Sequence, residues 1–365
     1  MRITYDHQAF NLQRYGGVSR YFSEIASRLA QLGHDVSIIA PIHNNAYLKQ
    51  AAISNLVRGC SWSPGFTGAN RTRRVLSNIL APLWWQGRAS DIVHETYYSS
   101  APIGSGLKRV ITVYDMIHEL FQAELHCPEK EIVRKRVAIE RADHIICISQ
   151  NTRSDLVRLL DVDEKKTSVV YLGHSLASIN AGEIFKPRYD RPYLLYVGER
   201  HEYKNFNGFL RAFGKSVLLR KEFDIVSFGG PAFTPYERDL LQKLGIEKNV
   251  RHVIGDDQTL AGYYQSAAAF VYPSFYEGFG IPPLEAMSYG CPVACSNTSS
   301  IPEVVGDAGA YFNPADVEDI CATLERILFD ITECNTLRQL GYERIKLFTW
   351  HRCALETANV YGLLL

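Results

Sequence analysis

PSFYEGFGIPPLEAM, residues 273–287, sets Glu277 ahead of two glycines, Gly278 and Gly280, then Pro282–Pro283, then Glu285. The preceding AAAFVYPS (267–274) reads as a short buried strand ending at a proline. The order is strand, glycine loop, helix. Glycine lets a backbone approach a ligand closely, and proline in a first helical turn lacks an N–H that would be unpaired anyway. A helix starting there aims free amides and partial positive charge at the loop, which suits a phosphate. The two carboxylates flanking the loop are acceptors for hydroxyls, so the local chemistry points to a sugar attached to a phosphate. A glycine–proline turn before a helix is also a common structural turn, and the rest of the chain must decide.

Working backwards, PYLLYVG (192–198) is a strand, ERHEYKN (199–205) a loop carrying Arg200 and Lys204, and NGFLRAFGKSVLL a helix. FDIVSFGG (223–230) and RHVIGDD (251–257) are further strands, a helix over 259–268 follows, and GCPVACSN (290–297) is a strand beyond the loop. Alternating strands and helices build a parallel sheet, whose ligands sit at the carboxyl ends of strands. Gly198, Gly229–Gly230 and Gly255 therefore fall on one rim with the 273–287 loop. Two cations on such a loop are a ready clamp for a diphosphate.

The first half repeats the pattern. After the apolar start Met1–Tyr5, the loop Arg14–Gly17 precedes a helix marked by Phe22, Ile25, Ala26 and Leu29 and ending at Gly33, and DVSIIA (35–40) is a strand. Gly16 and Gly17 alone do not make the G-x-G-x-x-G of a dinucleotide site, which argues against a dehydrogenase. Residues 41–90 read as irregular and basic, with RRVLSNILAPLWW either an amphipathic helix on a membrane surface or a helix packed on the domain. The strands DIVHETYY (91–98) and RVITVYDMIHEL (109–120) end in His94, Glu95, Asp115 and His118, expected together at one rim. A charged helix (129–142), the strand HIICIS and the strand TSVVYLGH (167–174) lead to a linker near Gly182 and Pro187.

The 365 residues suggest two domains, and 46% hydrophobic content fits a packed enzyme. Net charge is zero, but residues 1–170 hold 21 basic against 16 acidic side chains, a net of +5, and the remainder −5. That division fits either two halves attracting each other, a basic half facing anionic lipid, or plain surface scatter. Eight cysteines without a CxxC pair, and no signal peptide, read as reduced thiols in the cytosol. Cys291 and Cys295 lack accompanying histidines, and Asp161-x-Asp163 reads as an exposed turn, so no metal site is expected. No run is apolar for the roughly 18 residues a spanning helix needs, and no basic stripe suggests nucleic acid.

YVGERHEYKN, the 272–309 run YPSFYEGFGIPPLEAMSYGCPVACSNTSSIPEVVGDAG and FTWHRCALETANVY together resemble the retaining family 4 glycosyltransferases. GGVSRYF and ICISQNTRSDL also look like that family, and CSNTSSIPEVVGDAGAYFNP is most similar to its bacterial mannosyltransferase-like, O-antigen-building branch. The resemblance implies an α/β GT-B fold: two Rossmann-like domains, 1–185 binding acceptor and 186–345 binding donor, facing a deep cleft, with 346–365 crossing back to the first. It implies Gly16 and Gly17 closing on donor phosphates, Arg200 and Lys204 on the diphosphate, Glu277 on the sugar hydroxyls and Glu285 on the ribose. Gly278, Phe279, Gly280 and Ile281 would contact sugar and phosphate, and Val253, Gly255 and Asp256 the base, with Gly198 on the same rim. Many members carry His-Asp after the 109–113 strand; here Tyr114-Asp115 stands instead, and either His118, three residues on, substitutes for the missing histidine or its job is not needed. Asp115 and His118 rank below the other catalytic candidates, and His94, Glu95 and Tyr114 fall on the acceptor side.

The expected activity is metal-independent, cofactor-free front-face transfer of mannose or a relative such as rhamnose. The donor would be a nucleoside diphosphate sugar, GDP favoured, and the acceptor a glycan or lipid-linked glycan. Peripheral association with the inner membrane is compatible. A 2-epimerase on the same fold, drawing acid and base from His94, His118 or His201, is the alternative enzyme, and a nucleotide-sugar-binding scaffold the alternative binder.

Overall fold

The computed structural model describes residues 1–63, 69–125, 127–174, 187 and 189–365. The chain divides into two compact units. The first comprises Met1–Gly173 apart from Ala123–Leu125, together with Thr349–Leu365, and the second is essentially His174–Phe348. The domain boundary expected at 185/186 lies outside the described residues.

The first unit carries a seven-stranded sheet: β1 (Arg2–Tyr5), β2 (Asp35–His43), β3 (Val57–Ser61), β4 (Ser90–Glu95), β5 (Gly106–Val113), β6 (His144–Cys147) and β7 (Thr167–Val169), in the order β3-β2-β1-β4-β5-β6-β7. The second carries β8 (Tyr193–Val197), β9 (Asp224–Phe228), β10 (Val250–Val253), β11 (Ala269–Tyr272), β12 (Val293–Ser296) and β13 (Gly309–Phe312), ordered β10-β9-β8-β11-β12-β13. Every recorded pairing is parallel. In both sheets the order reverses beside the first strand, and ligands of doubly wound sheets bind at that switch point. Helices on both faces bury the central strands, so β9 and β11 are buried along their whole length rather than alternating.

Residues 41–90 depart from the irregular reading. β2 runs on to His43, β3 adds an edge strand, and Ala69–Trp85 is a helix. VRGCS is short, polar and mostly exposed, so it has no apolar alternation to betray it; backbone pairing with β2 makes it a strand.

The helix Trp350–Leu364 belongs to the first unit and packs on the helix Gly17–Gln31. Its Tyr361 reaches the sheet: the hydroxyl meets His94 Nδ1 at 2.6 Å and Tyr5 Oη at 3.2 Å, while His94 Nε2 meets Thr112 Oγ1 at 2.9 Å. Trp350 is 5% exposed, beside Tyr21.

Burial holds His94 down at a pKa of about 3. Burial first, then Lys49 and Arg73, holds His43 at about 4. Both groups titrate near 6.5 when unfolded. As pH falls below that value the unfolded chain takes up protons that the folded unit refuses, so stability declines towards pH 4. Each histidine contributes a slope approaching about 1.4 kcal/mol per pH unit. Urea midpoints of the first unit should therefore fall steadily from pH 7 to pH 4.5, and His94→Asn should remove about half of the two-histidine slope. A midpoint constant over that range would contradict the assignment.

Candidate active site

The loop between β11 and the helix Ile281–Ser288 is built as its glycines and prolines suggest. Gly280 precedes the helix at φ +128°, where a side chain would be strained, and prolines occupy the first turn. Glu277, 6% exposed, accepts from Lys204 Nζ through both carboxylate oxygens, at 2.7 and 2.8 Å. Two serines brace the loop from the segment after β12. Ser299 Oγ receives the Glu277 N–H at 2.9 Å and donates to the Glu277 carbonyl at 2.6 Å. Ser300 Oγ reaches the carbonyls of Glu277 and Phe279 at 2.8 and 2.7 Å. The Lys204 ammonium and the Glu277 carboxylate thus meet on the loop that leads into the helix start. Glu285, 8% exposed on the same helix, accepts from Tyr264 Oη at 3.3 Å. Phe279 packs on Phe348, its side chain buried, so only its backbone is placed to meet a ligand.

Arg200 stands on the expected loop after β8, but its guanidinium is not a free cation. The side chain is 3% exposed, and Nε donates to Glu237 Oε1 at 2.6 Å. The head lies 4.9 Å from the Phe233 ring centre. Gly230, at φ +67°, leaves space for it, since a Cβ there would stand 3.2 Å from Nη1. Gly198 and Gly229 also take positive φ at the ends of β8 and β9. Val253 ends β10, whereas Asp256 caps the helix Asp257–Ser266 through Thr259, whose two hydrogen bonds lower its carboxyl pKa. Gly255 lies against that same Thr259.

In the first unit Gly16 precedes and Gly17 begins the helix Gly17–Gln31, with open space beside Gly17. His94, Glu95 and Tyr114 are corrected. His94 is fully buried with both ring nitrogens occupied, and Glu95, 1% exposed, is held between Arg109 and Arg141. Tyr114 donates to the Thr96 carbonyl from the interior. Strands of a fully covered parallel sheet point their polar ends inward as well as outward, so their sequence alone did not separate rim from core. His94 therefore cannot serve the epimerase reading, and His201 stands in an exposed pair with Glu199. Asp115 accepts the Ile117 N–H at 3.0 Å and starts the short helix Ile117–Leu120. His118, on that helix, does reach a rim: it lines a cavity with Gln8, Asn11 and Tyr97.

Residues 15–177 match the family model described as Glycosyltransferase Family 4, and residues 182–344 that of Glycosyl transferases group 1. Over 95% of its length the chain is 33% identical to O-antigen chain mannosyltransferase B of Escherichia coli, of which it covers 96%. The chain belongs to the family 4 glycosyltransferases. The MMP alpha-(1->4)-mannosyltransferase of Mycolicibacterium hassiacum is 26% identical, with 95% of this chain and 94% of that one covered. Sucrose-phosphate synthase from Thermosynechococcus elongatus superposes with a TM-score of 0.76 at 20% identity, covering 100% of this chain and 99% of that one. Anabaena HepE, in complex with UDP and glucose, gives 0.73 at 16%, with 99% of both chains covered. These two likenesses speak to the GT-B fold.

Three features of this glycosyltransferase escaped the sequence reading. Glu237 carried a signal: Thr234-Pro-Tyr-Glu237 is a capping box, and both of its hydrogen bonds are present. That the same carboxylate also pairs with Arg200 had none. Ser299 and Ser300 lie in the stretch that carried the resemblance, yet nothing in their spacing assigned them to the loop. The capping aspartates Asp161 and Asp163 behave as the exposed turn expected of them.

Proposed function

We propose that this glycosyltransferase moves mannose, or a closely related hexose, from a nucleoside diphosphate to a hydroxyl of a growing bacterial surface glycan. The observation that carries the reading is the Lys204–Glu277 pair on the serine-braced loop at a helix start. The identity to an O-antigen mannosyltransferase over nearly the whole chain supports the sugar and the setting. As the diphosphate leaves, negative charge builds on its oxygen, and Lys204 with the helix N–H groups would stabilise it. Glu277 would take the donor sugar's hydroxyls, Glu285 the ribose, and the leaving phosphate the acceptor proton on the same face, with retention. Fixed cationic groups at this position are why the reaction is proposed to need no metal. GDP is the favoured nucleotide. Incubation with a panel of nucleotide sugars and glycan acceptors, with and without chelator, tests the reading when product linkage is read by NMR. Transfer of mannose from the GDP sugar alone is expected, and turnover from a UDP sugar only would overturn the donor.

Among the described residues no helix is long and apolar enough to cross a membrane. The helix Ala69–Trp85 nevertheless exposes Val75, Ile79 and Leu83, 50, 65 and 60% exposed and one turn apart, beside exposed Arg71 and Arg74. We read this face as peripheral contact with an anionic leaflet. Ile79→Glu should lower flotation with phosphatidylglycerol vesicles by about tenfold, the order expected from replacing one buried apolar side chain by a charge. Equal flotation of the variant, or equal binding to neutral vesicles, would refute the contact.

A further inference from the structure

Beyond the ends of β1, β4 and β5, the first unit opens two cavities of about 550 and 500 Å³. Both sizes are those of small-ligand sites. They share His7, Asn78, Ser99, Ala101 and Ile103, so they are two lobes of one groove. The larger lobe includes Asn11 from the helix Gln8–Leu12, and the smaller includes Trp85.

The polar groups along the groove are unusual. Asn11 is 3% exposed, and neither its amide oxygen nor its amide nitrogen has a hydrogen-bond partner. His7, also 3% exposed, uses Nε2 on Asn78 at 2.8 Å and leaves Nδ1 without one. Trp85 Nε1, in the second lobe, is unpartnered at 6% exposure. Buried polar atoms are nearly always satisfied, so three side chains left open along one groove mark a place where a ligand completes them.

The pattern selects the ligand's chemistry. A carboxamide offers a donor and an acceptor side by side, which matches two neighbouring hydroxyls. Tyr97 and Tyr98, with ring centres 4.8 Å apart, add apolar faces with polar rims, as does Trp85. Arg134 in the larger lobe is paired with Glu131 at 2.7 Å and Arg74 at its edge is exposed, so the buried groups left without partners are an amide, an imidazole and an indole, which suit hydroxyls. We infer that this groove is the acceptor site and seats two consecutive sugar units of a neutral glycan, Asn11 and His7 reading hydroxyls of one and Trp85 Nε1 donating to the other. The inference rests on the transfer reading above for the word acceptor, but the groove's ligand class stands on its own geometry.

The test uses the full chain without donor and α-linked mannose mono-, di- and trisaccharides as probes, followed by titration NMR. The disaccharide should bind at least tenfold more tightly than the monosaccharide. Asn11→Leu, and Ala101→Trp at the exposed residue shared by both lobes, should each weaken the disaccharide at least tenfold, while stabilisation by GDP is unchanged. In transfer assays Asn11→Asp should raise the acceptor KM about tenfold and leave the donor KM within twofold, a split that a general folding defect would not give. Equal affinity for mono- and disaccharide would overturn the two-unit site. Undiminished disaccharide binding by Ala101→Trp, or no binding of any probe by the wild type, would overturn the groove as a glycan site. If the probes bind and the variants lose them, yet no nucleotide sugar supports transfer, the groove stands and the proposed reaction falls.

Discussion

Lys204→Ala is expected to lower turnover by about 10²–10³-fold, equivalent to about 2.7–4 kcal/mol of lost transition-state stabilisation. Nζ is a fixed positive charge of the 199–205 loop. It holds both Glu277 oxygens at 2.7 and 2.8 Å, with the lysine side chain 21% and the glutamate 8% exposed. Removing the ammonium takes a fixed cation from the place where phosphate charge would develop. It also leaves Glu277 without its counter-charge, so the sugar-binding carboxylate would lose its orientation. Lys204→Arg should retain part of the rate, because charge is kept while reach and geometry change. Single-turnover rates at saturating donor check this directly. A Lys204→Ala enzyme with wild-type single-turnover rate would remove Lys204 from the chemistry and with it the proposed centre. Thermal unfolding measured in parallel separates loss of rate from loss of fold.

The largest expected effect on stability belongs to a residue that touches no substrate in this scheme. Glu237→Ala should destabilise the second unit by about 3–5 kcal/mol, the cost of breaking a buried ion pair by deleting one partner. Arg200 and Glu237 side chains are only 3% and 6% exposed, so water cannot take over the guanidinium when the carboxylate is gone. The substitution also removes the reciprocal cap at Thr234, an added loss of about 1 kcal/mol. Replacing both partners, as in Arg200→Met with Glu237→Leu, should recover much of the stability, since well-packed apolar pairs often substitute for buried ions without loss. Urea unfolding of the single and double variants tests this. A single-variant loss below 1 kcal/mol, or no recovery in the double, would show that the pair is not what holds the 199–205 loop.

That pair also changes how Arg200 is understood. On the sequence it is one of two equivalent cations on a loop. In the folded unit the two differ: Lys204 remains partly open beside Glu277, while Arg200 is clamped between Glu237 and the Phe233 ring. Arg200 fixes the loop that presents Lys204. Direct contact with the diphosphate would require an Nη to leave its present partners, since Nη1 donates to Ser227 Oγ and the Gly229 carbonyl and Nη2 to the Pro231 carbonyl.

The strand–loop–helix order around 273–287, the alternation that makes both sheets parallel, and the placement of Lys204 and Glu277 on neighbouring loops were all legible before folding. They rest on local properties: apolar runs of strand length, glycines where φ must be positive, prolines where a helix begins. The resemblance to a family added the reaction class. Tertiary structure decided the rest. Lys204 meets Glu277 73 residues away, Arg200 meets Glu237 37 residues away, and His94 is sealed by Tyr361, 267 residues on. Parallel strands are joined by crossovers, so neighbours in the sheet are distant in the chain, and no local pattern says which side chain will stand opposite which. For the same reason His94 and Glu95 look alike on paper to His118, yet only the last reaches a cavity, because burial is a property of the layers above a strand rather than of the strand.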